Sequence, residues 1–302
     1  MKGKVTRSEG WFALVVIVSI IPLVLFGLVM RSGAGSGGVR AAQAAELHVC
    51  PSGCAYSSIQ TAVDAANVGD VIKVAEGVYT DVHARSNLTQ VVYLNKSLTL
   101  RGGYVASNWE ISDPTAHPTT LDAEGKGRVI SIDTAPHVEI TIEGFSITGG
   151  DAGGLKGDPW GGDAGGGIYV NGSQTIIRGN RIYANTAEKG GGLVANYPIT
   201  LTNNVFISNS ADSGGGLYLY NPGLSRLIAN LVVSNTARTK DAGGIMLNGG
   251  GIRFDVDETV LINNVIADNF GGRRGSGLFV YDASLCGPGP LMRSRWRSET
   301  VC

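Results

Sequence analysis

Three aspartates in a glycine-rich stretch are the residues best suited to metal chemistry. Residues 149–167 read GGDAGGLKGDPWGGDAGGG and contain Asp151, Asp158 and Asp163. Ca²⁺ takes about six to eight oxygen ligands, which carboxylates and free carbonyl groups of such a loop can supply. The spacing matches neither an EF-hand nor a calcium-binding nonapeptide repeat, so a flexible turn-forming insertion is the alternative interpretation.

A second set of residues has the chemistry of a sugar-binding surface. Clusters such as GGGIYVN, GGGLYLYN and AGGIMLN place glycines before apolar, β-prone residues. If the residues three and five positions after the start of each cluster face inwards, those four and six positions after it face outwards. The outward positions hold Tyr169, Val194, Tyr218, Met246 and Phe279, and then Asn171, Asn196, Tyr220, Asn248 and Tyr281.

Aromatic rings above amides suit the C–H faces and hydroxyl groups of sugars. With Trp160 of the glycine-rich insertion, the aromatic and amide members of this set are therefore predicted to bind carbohydrate or a partner surface. Two alternatives stay open. The side chains could only support one another as neighbours on adjacent strands, or an insertion such as residues 151–163 could fold over them.

Catalysis has less support in the sequence. A glycoside hydrolase needs two carboxylates about 5–10 Å apart, and a polysaccharide lyase would need acidic Ca²⁺ ligands and an Arg or Lys base. No acid recurs in phase with the glycine clusters, where the repeated polar residue is Asn. We therefore predict a non-catalytic function, with a polysaccharide lyase or glycoside hydrolase as the alternative.

The elements that position these residues form a repeat of roughly 24 residues, lengthened in places by insertions. Apolar residues recur three and five positions after the start of each cluster, which predicts a strand with its buried face stacked coil upon coil. A second register places two asparagines five residues apart, which predicts side-chain ladders along the axis. The clusters begin at Gly165, Gly190, Gly214, Ala242 and Gly275, and the asparagine pairs are Asn180/Asn185, Asn204/Asn209, Asn230/Asn235 and Asn264/Asn269.

These patterns predict an all-β fold, a right-handed parallel β-helix solenoid over residues 45–285. No L-x-x-L-x-L pattern is present, which disfavours a leucine-rich repeat. Residues 57–67 carry helical periodicity and a capping box of Ser57 and Gln60. A short helix here would cap the N-terminal end of the solenoid and cover its core.

The segment SIQTAVDAANVGDVIKVAEGVYTD, followed by GGGIYV and GGGLYLY, resembles exported bacterial parallel β-helix proteins of the pectin-lyase-like fold. GGL at 215–217 with FISN at 206–209 is similar to repeats of polymorphic outer-membrane proteins. The resemblance covers about residues 46–285. It implies the fold more specifically than an activity, because this fold hosts lyases, hydrolases and adhesins.

The two ends of the chain differ from the coils. Residues 1–44 combine a basic start, 20 uncharged residues from Trp11 to Met30, and an Ala-x-Ala site ending at Ala44. They predict either a cleaved signal peptide or a retained membrane anchor, and hence an extracellular or cell-surface protein. Residues 286–302 lose the repeat pattern, so they are either a truncated or frame-shifted end or an irregular natural tail.

Charge and cysteines complete the sequence-based predictions. One of the 25 acidic and five of the 24 basic residues lie in residues 1–44, so residues 45–302 carry a net charge of −5. This balance argues against binding nucleic acid, and it leaves contact with a membrane to the N-terminal segment alone. Cys50 and Cys54 in CPSGC are predicted to form a disulfide, because export permits one. A metal-binding pair is the alternative.

Overall fold

The computed structural model describes residues 44–281, apart from residues 86–87, 136, 158, 160, 173, 249–258, 272 and 274. The described residues form one compact unit. Among the described residues, no helix has the length and apolar character needed to cross a membrane. The predicted N-terminal segment and the tail at residues 286–302 lie outside the described residues.

The chain winds through three sheets of mostly parallel strands, which confirms the predicted β-helix. After the first strand and the helix that follows it, each coil contributes a short strand to each sheet, and strands of successive coils pair side by side. The first sheet contains β1 (Glu46–Val49), β2 (Val71–Ala75), β6 (Leu98–Tyr104), β9 (Ile140–Glu143), β12 (Thr175–Arg178), β15 (Ile199–Thr202), β19 (Arg226–Ile228) and β23 (Val260–Ile262).

The second and third sheets complete the coil. The second contains β3 (Gly77–Tyr79), β7 (Thr119–Asp122), β10 (Phe145–Thr148), β13 (Arg181–Tyr183), β16 (Val205–Ile207), β20 (Leu231–Val233) and β24 (Val265–Ala267). The third contains β4 (His83–Arg85), β5 (Leu88–Leu94), β8 (Arg128–Asp133), β11 (Ile168–Asn171), β14 (Leu193–Ala195), β18 (Leu217–Tyr220), β22 (Ile245–Asn248) and β25 (Leu278–Tyr281). A separate pair joins β17 (Ser210–Ala211) to β21 (Thr236–Ala237).

The predicted inward columns form the core. Leu193 pairs with Leu217, which pairs with Ile245, and all three side chains are fully buried. The first sheet adds a parallel column in which Ile177, Leu201 and Leu227 are equally buried. Strand alternation directs one side chain of each pair inwards, so the coils share one continuous apolar interior.

Both asparagine ladders are present at corners of the coil. In one ladder, Nδ2 of Asn185, Asn209 and Asn235 donates to Oδ1 of the next asparagine, at 3.0 Å in each case. Residues such as Ser208 and Ser234, which directly precede ladder asparagines, have positive φ of 55° and 54°. The side-chain amides satisfy backbone groups that these sharp corners leave without strand partners.

The N-terminal cap is present, but the predicted capping box is wrong. Helix α1 (Ile59–Ala65) has Ser58 as its N-cap and no side-chain cap hydrogen bond. Gln60 instead accepts a hydrogen bond from the Tyr93 amide at 2.7 Å and donates to the Tyr93 carbonyl oxygen at 3.3 Å. The glutamine therefore fastens the helix to β5, because a buried strand edge offers it both a donor and an acceptor. Nearby, Cys50 and Cys54 form a disulfide with Cα atoms 5.6 Å apart.

Candidate functional site

The predicted outward column on the third sheet is aligned in the structure. Tyr169 pairs with Val194, Val194 with Tyr218, Tyr218 with Met246, and Met246 with Phe279. The other predicted column is also aligned at β18, β22 and β25, where Tyr220 pairs with Asn248 and Asn248 with Tyr281. The sequence pattern therefore identified side chains that share one face of the sheet.

The prediction that this face is exposed to solvent is wrong. Tyr169 is 7% exposed, Tyr218 and Phe279 are each 5% exposed, and Tyr220 is 1% exposed. The Tyr218 and Tyr220 rings lie 4.5 Å apart in a second apolar cluster outside the main core. Burial of aromatic surface is favourable by itself, so the aromatic residues here have a packing role and are not available as an open sugar-binding stripe.

Part of the glycine-rich insertion folds over Tyr169. A Cβ atom placed on Gly157 would lie 2.8 Å from Cε2 of Tyr169, so only glycine allows the backbone to approach the ring this closely. Asn196 Nδ2 donates to the Tyr169 hydroxyl at 3.3 Å and to Asn171 Oδ1 at 3.3 Å. The two predicted asparagines therefore form a polar network beside the tyrosine. Trp160 lies outside the described residues, and of Asn248 and Tyr281 only the backbone is described.

The two described aspartates of the insertion stabilise its backbone conformation through hydrogen bonds. Asp163 accepts hydrogen bonds from the Gly154 and Lys156 amides, each at 2.8 Å, and Asp151 accepts one from Gly153 at 2.8 Å. Among the residues that the structure describes, no group of three or more His, Cys, Asp or Glu side chains could hold a metal ion. Asp158 lies outside them, so Ca²⁺ binding by the three aspartates stays a prediction.

A fully buried arginine lies beneath this insertion, and no pattern in the sequence predicted it. Arg128 donates from Nε to the Ala164 carbonyl oxygen at 2.7 Å and from Nη2 to the Leu155 and Lys156 carbonyl oxygens. Its Cζ lies 4.8 Å from the Tyr169 ring centroid, a cation–π contact. Burial lowers the pKa of Arg128 to about 10, so the guanidinium stays charged at neutral pH. Burial also raises the pKa of Tyr169, which stays a neutral phenol.

The outer face of the first sheet carries a charged column that sequence reasoning missed. Strand pairing places five residues of successive coils side by side: His48, Lys73, Arg101, Glu143 and Arg178. Glu143 accepts hydrogen bonds from both Arg101 and Arg178 and is the central carboxylate between two guanidinium groups. Because neighbouring strands lie about 4.8 Å apart, the five residues are direct neighbours across the sheet.

The N-terminal end of this column has an aromatic cover. Lys73 is 7% exposed, and its Nζ donates to Glu46 Oε2 at 2.8 Å and to the Trp109 carbonyl oxygen at 2.9 Å. The hydrogen bond from Lys73 holds the pKa of Glu46 below its usual value. The His48 and Trp109 rings stack with centroids 4.2 Å apart. A pair of rings therefore adjoins the first charged residues.

Two grooves lie on the first sheet around β9, β12 and β15. One, of about 450 Å³, follows the starts of the strands, and the other, of about 240 Å³, follows their ends. Apolar side chains are exposed at the larger groove: Ile176 is 39% exposed and Leu224 is 63% exposed. The larger groove is lined by Glu139, Gln174, Thr175, Ile176, Pro198, Ile199, Thr200 and Leu224. The smaller is lined by Ser112, Pro114, Glu143, Gly144, Arg178, Gly179 and Asn203.

Comparison with known proteins agrees with this architecture. A family model described as a right-handed beta helix region matches residues 119–284, which is more than half of the chain. No curated protein matches the chain. The matched residues include most of the coils that carry the grooves and the buried arginine. On this match and on its stacked parallel sheets, the chain belongs to the right-handed beta helix family.

Proposed function

We propose that this protein is a non-catalytic carbohydrate-binding protein of the cell surface or the extracellular space. The observation that carries the proposal is the pair of grooves along the outer face of the first sheet. Grooves of a few hundred Å³ that combine apolar walls with a few polar groups are typical ligand sites. The binding surface that we propose lies on a different sheet from the aromatic column that the sequence analysis predicted to bind carbohydrate.

The larger groove has the chemistry that sugar rings require. Ile176, Pro198 and Leu224 offer apolar surface for the C–H face of a pyranose ring. Gln174 and Thr200 in the same lining offer an amide and a hydroxyl group for the sugar hydroxyls. Because these residues come from β12, β15 and the turns before β12, β15 and β19, the groove crosses successive coils and suits a chain of linked sugars.

Catalysis is the second candidate, because Glu143 and Arg178 meet at the smaller groove. Arg101 bonds to one carboxylate oxygen of Glu143 and Arg178 to the other, so both oxygens already have guanidinium partners. The described lining of this groove contains no other carboxylate. A hydrolase that uses two acids therefore has less support than binding without turnover.

The surface location rests on the N-terminal sequence. Residues 1–44 have the composition of a signal peptide or membrane anchor, and the disulfide of Cys50 and Cys54 suits an oxidising compartment. Protease accessibility on intact cells tests this part of the proposal: digestion of the β-helix from outside supports it, and protection until lysis contradicts it.

A glycan array with product analysis tests the binding function. Leu224→Asp places a charge on the apolar wall, and we expect at least a tenfold loss of affinity for any glycan that the native protein binds. Val78→Asp is the matched control, because Val78 is 65% exposed and lies on the second sheet. It should leave affinity unchanged.

Three outcomes contradict the proposal. The native protein could bind no glycan, Leu224→Asp could bind as well as Val78→Asp, or bound polysaccharide could be shortened during incubation. Shortened chains that persist in Glu143→Gln would also rule out the acid at the smaller groove as a catalytic group.

A further inference from the structure

We propose that two copies of this chain associate through the outer face of the second sheet. Six aliphatic side chains of β16, β20 and β24, here called the aliphatic face, form two outward columns on three consecutive coils. One column holds Val205, Leu231 and Val265, and the other holds Ile207, Val233 and Ala267. The interface is independent of the proposed carbohydrate grooves, which lie on the first sheet.

The aliphatic face is apolar across its whole width. Phe206 and Val232 point into the core and are fully buried, so strand alternation turns the residues on either side of them outwards. Val265 is 53% exposed, and the other five side chains of the face are partly exposed. Adjoining apolar side chains that remain open to solvent indicate a contact surface, because their burial is favourable.

The outer faces of the other two sheets have a different character. On the coils of β15 and β19, the first sheet has polar side chains at its outward positions, namely Thr200, Thr202 and Arg226. On the third sheet, Tyr218 and Phe279 are already buried. The second sheet therefore carries the outward apolar columns that another molecule can still cover.

Opposite charges at the two ends of the aliphatic face favour a second copy as the partner. At one end, Arg181 on β13 pairs with Val205, and its guanidinium lies 4.2 Å from the centroid of the Tyr183 ring. At the other end, Asp268 directly follows β24. Both charged residues are exposed, and within the described part of the chain neither forms an ion pair.

A two-fold axis matches this charge distribution to an inverted copy of itself. If the axis lies in the interface and runs along the strands, the order of the coils is reversed between the two copies. The strand β13 then lies opposite the partner's β24, and β16 lies opposite the partner's β20. Arg181 of each copy thus meets the end of the face that holds the partner's Asp268, and this contact forms twice.

Sedimentation velocity of the full-length protein over a range of concentrations tests the interface. A non-ionic detergent solvates the apolar residues 11–30 equally in all variants. We expect a reversible equilibrium of monomer and dimer. Leu231→Lys should weaken association at least about tenfold, because the interface would bury an unpaired charge. Thr120→Lys is the matched control, since Thr120 is partly exposed and lies in the same outward column on β7. It should leave association unchanged, as should Leu224→Asp.

Charge reversal tests the arrangement of the two copies. Arg181→Glu and Asp268→Lys should each weaken association about fivefold or more, because like charges then face each other, and the double variant should restore it. Within one chain the two residues are three strand spacings apart, about 14 Å, so a restored affinity identifies a contact between copies. Ala184 and Ser208 occupy the same corner with positive φ, so the corner accepts other side chains than Asp.

Three results would overturn the proposal. The native protein could stay monomeric at every concentration, the dimer could persist unchanged in Leu231→Lys, or the double charge reversal could associate no better than the single ones. Unfolding midpoints of all variants, measured in urea, show whether a loss of association is instead a loss of fold.

Discussion

Single asparagines link the coils at the residue scale. Asn209 accepts hydrogen bonds from the Asn185 amide at 3.1 Å and from Asn185 Nδ2 at 3.0 Å. It donates to Asn235 Oδ1 at 3.0 Å and to the Ile182 carbonyl oxygen at 2.9 Å. One fully buried side chain thus satisfies polar groups of both neighbouring coils, and its loss would leave several of them without partners.

We expect Asn209→Ala to lower the free energy of unfolding by about 3 kcal/mol, because each buried group left without a partner costs about 1–3 kcal/mol. Asn264→Ala is the control from the other ladder. Asn264 is only partly buried, so water can replace its bonds, and a loss of about 1 kcal/mol is expected. Urea denaturation of both variants measures the difference. Equal losses in the free energy of unfolding would show that the stabilisation by the ladders does not depend on the burial of the asparagine.

Residue patterns predicted which face a side chain occupies, but not what covers that face. Alternation in YLY and IYV correctly separated Tyr218 and Tyr169 from the inward column. Exposure depends on whether another segment packs outside the sheet, and that is set by the path of loops such as residues 151–163. Alternating sequence patterns hold no information on the path of such a loop. The aromatic column was therefore predicted to be exposed, whereas in the structure it is buried.

Glycine clusters allow successive turns to approach closely at the element scale. A Cβ atom on Gly191 would lie 2.4 Å from the Ser210 carbonyl oxygen and 2.8 Å from the Ser210 amide nitrogen. These are backbone atoms of the next coil, so no side-chain rotation could relieve the overlap. The cluster before β14 is therefore needed for the spacing of the coils and not only for the local turn.

We expect Gly191→Ala to cost at least about 3 kcal/mol, because a rigid neighbour must move. Gly179→Ala is the control. Gly179 has φ of 62°, but nothing lies within 4 Å of its added Cβ, so only the left-handed backbone is strained, by about 1–2 kcal/mol. Thermal unfolding of the two variants separates steric overlap from backbone strain. A larger loss in Gly179→Ala would contradict close approach as the reason for the cluster.

Insertions between elements explain why the charged column was not found in the sequence. Arg101 and Glu143 are adjacent across strands although 42 residues separate them, and Glu143 and Arg178 are separated by 35 residues. The asparagine ladders were visible although their steps range from 24 to 34 residues, because each coil repeats two asparagines five residues apart. A column can be read from sequence where a local motif marks the same position in every coil, and the charged column has no such motif.

The described coils form a one-dimensional stack in which each coil is stabilised mainly by its two neighbours. Leu201, Leu227 and Leu261 occupy one inward column of the first sheet, on consecutive coils. Leu201 and Leu227 are fully buried, whereas Leu261 on the last described coil is only partly buried. The same side chain in the same register thus has different surroundings along the axis.

This difference predicts a gradient of stability along the solenoid. Leu201→Ala should cost about 3 kcal/mol and raise hydrogen exchange in the strands of both flanking coils, because it opens a cavity inside the stack. Leu261→Ala should cost about 1 kcal/mol, since a side chain that already meets solvent loses less on truncation. Its effect on exchange should stay within β19, β23 and β24. Hydrogen exchange measured strand by strand shows how far each substitution destabilises the neighbouring coils. Urea denaturation measures the total loss in the free energy of unfolding for each variant. If Leu261→Ala instead accelerated exchange as far as β9, the coils would unfold as one cooperative unit, and nearest-neighbour stacking would not describe how this chain is stabilised.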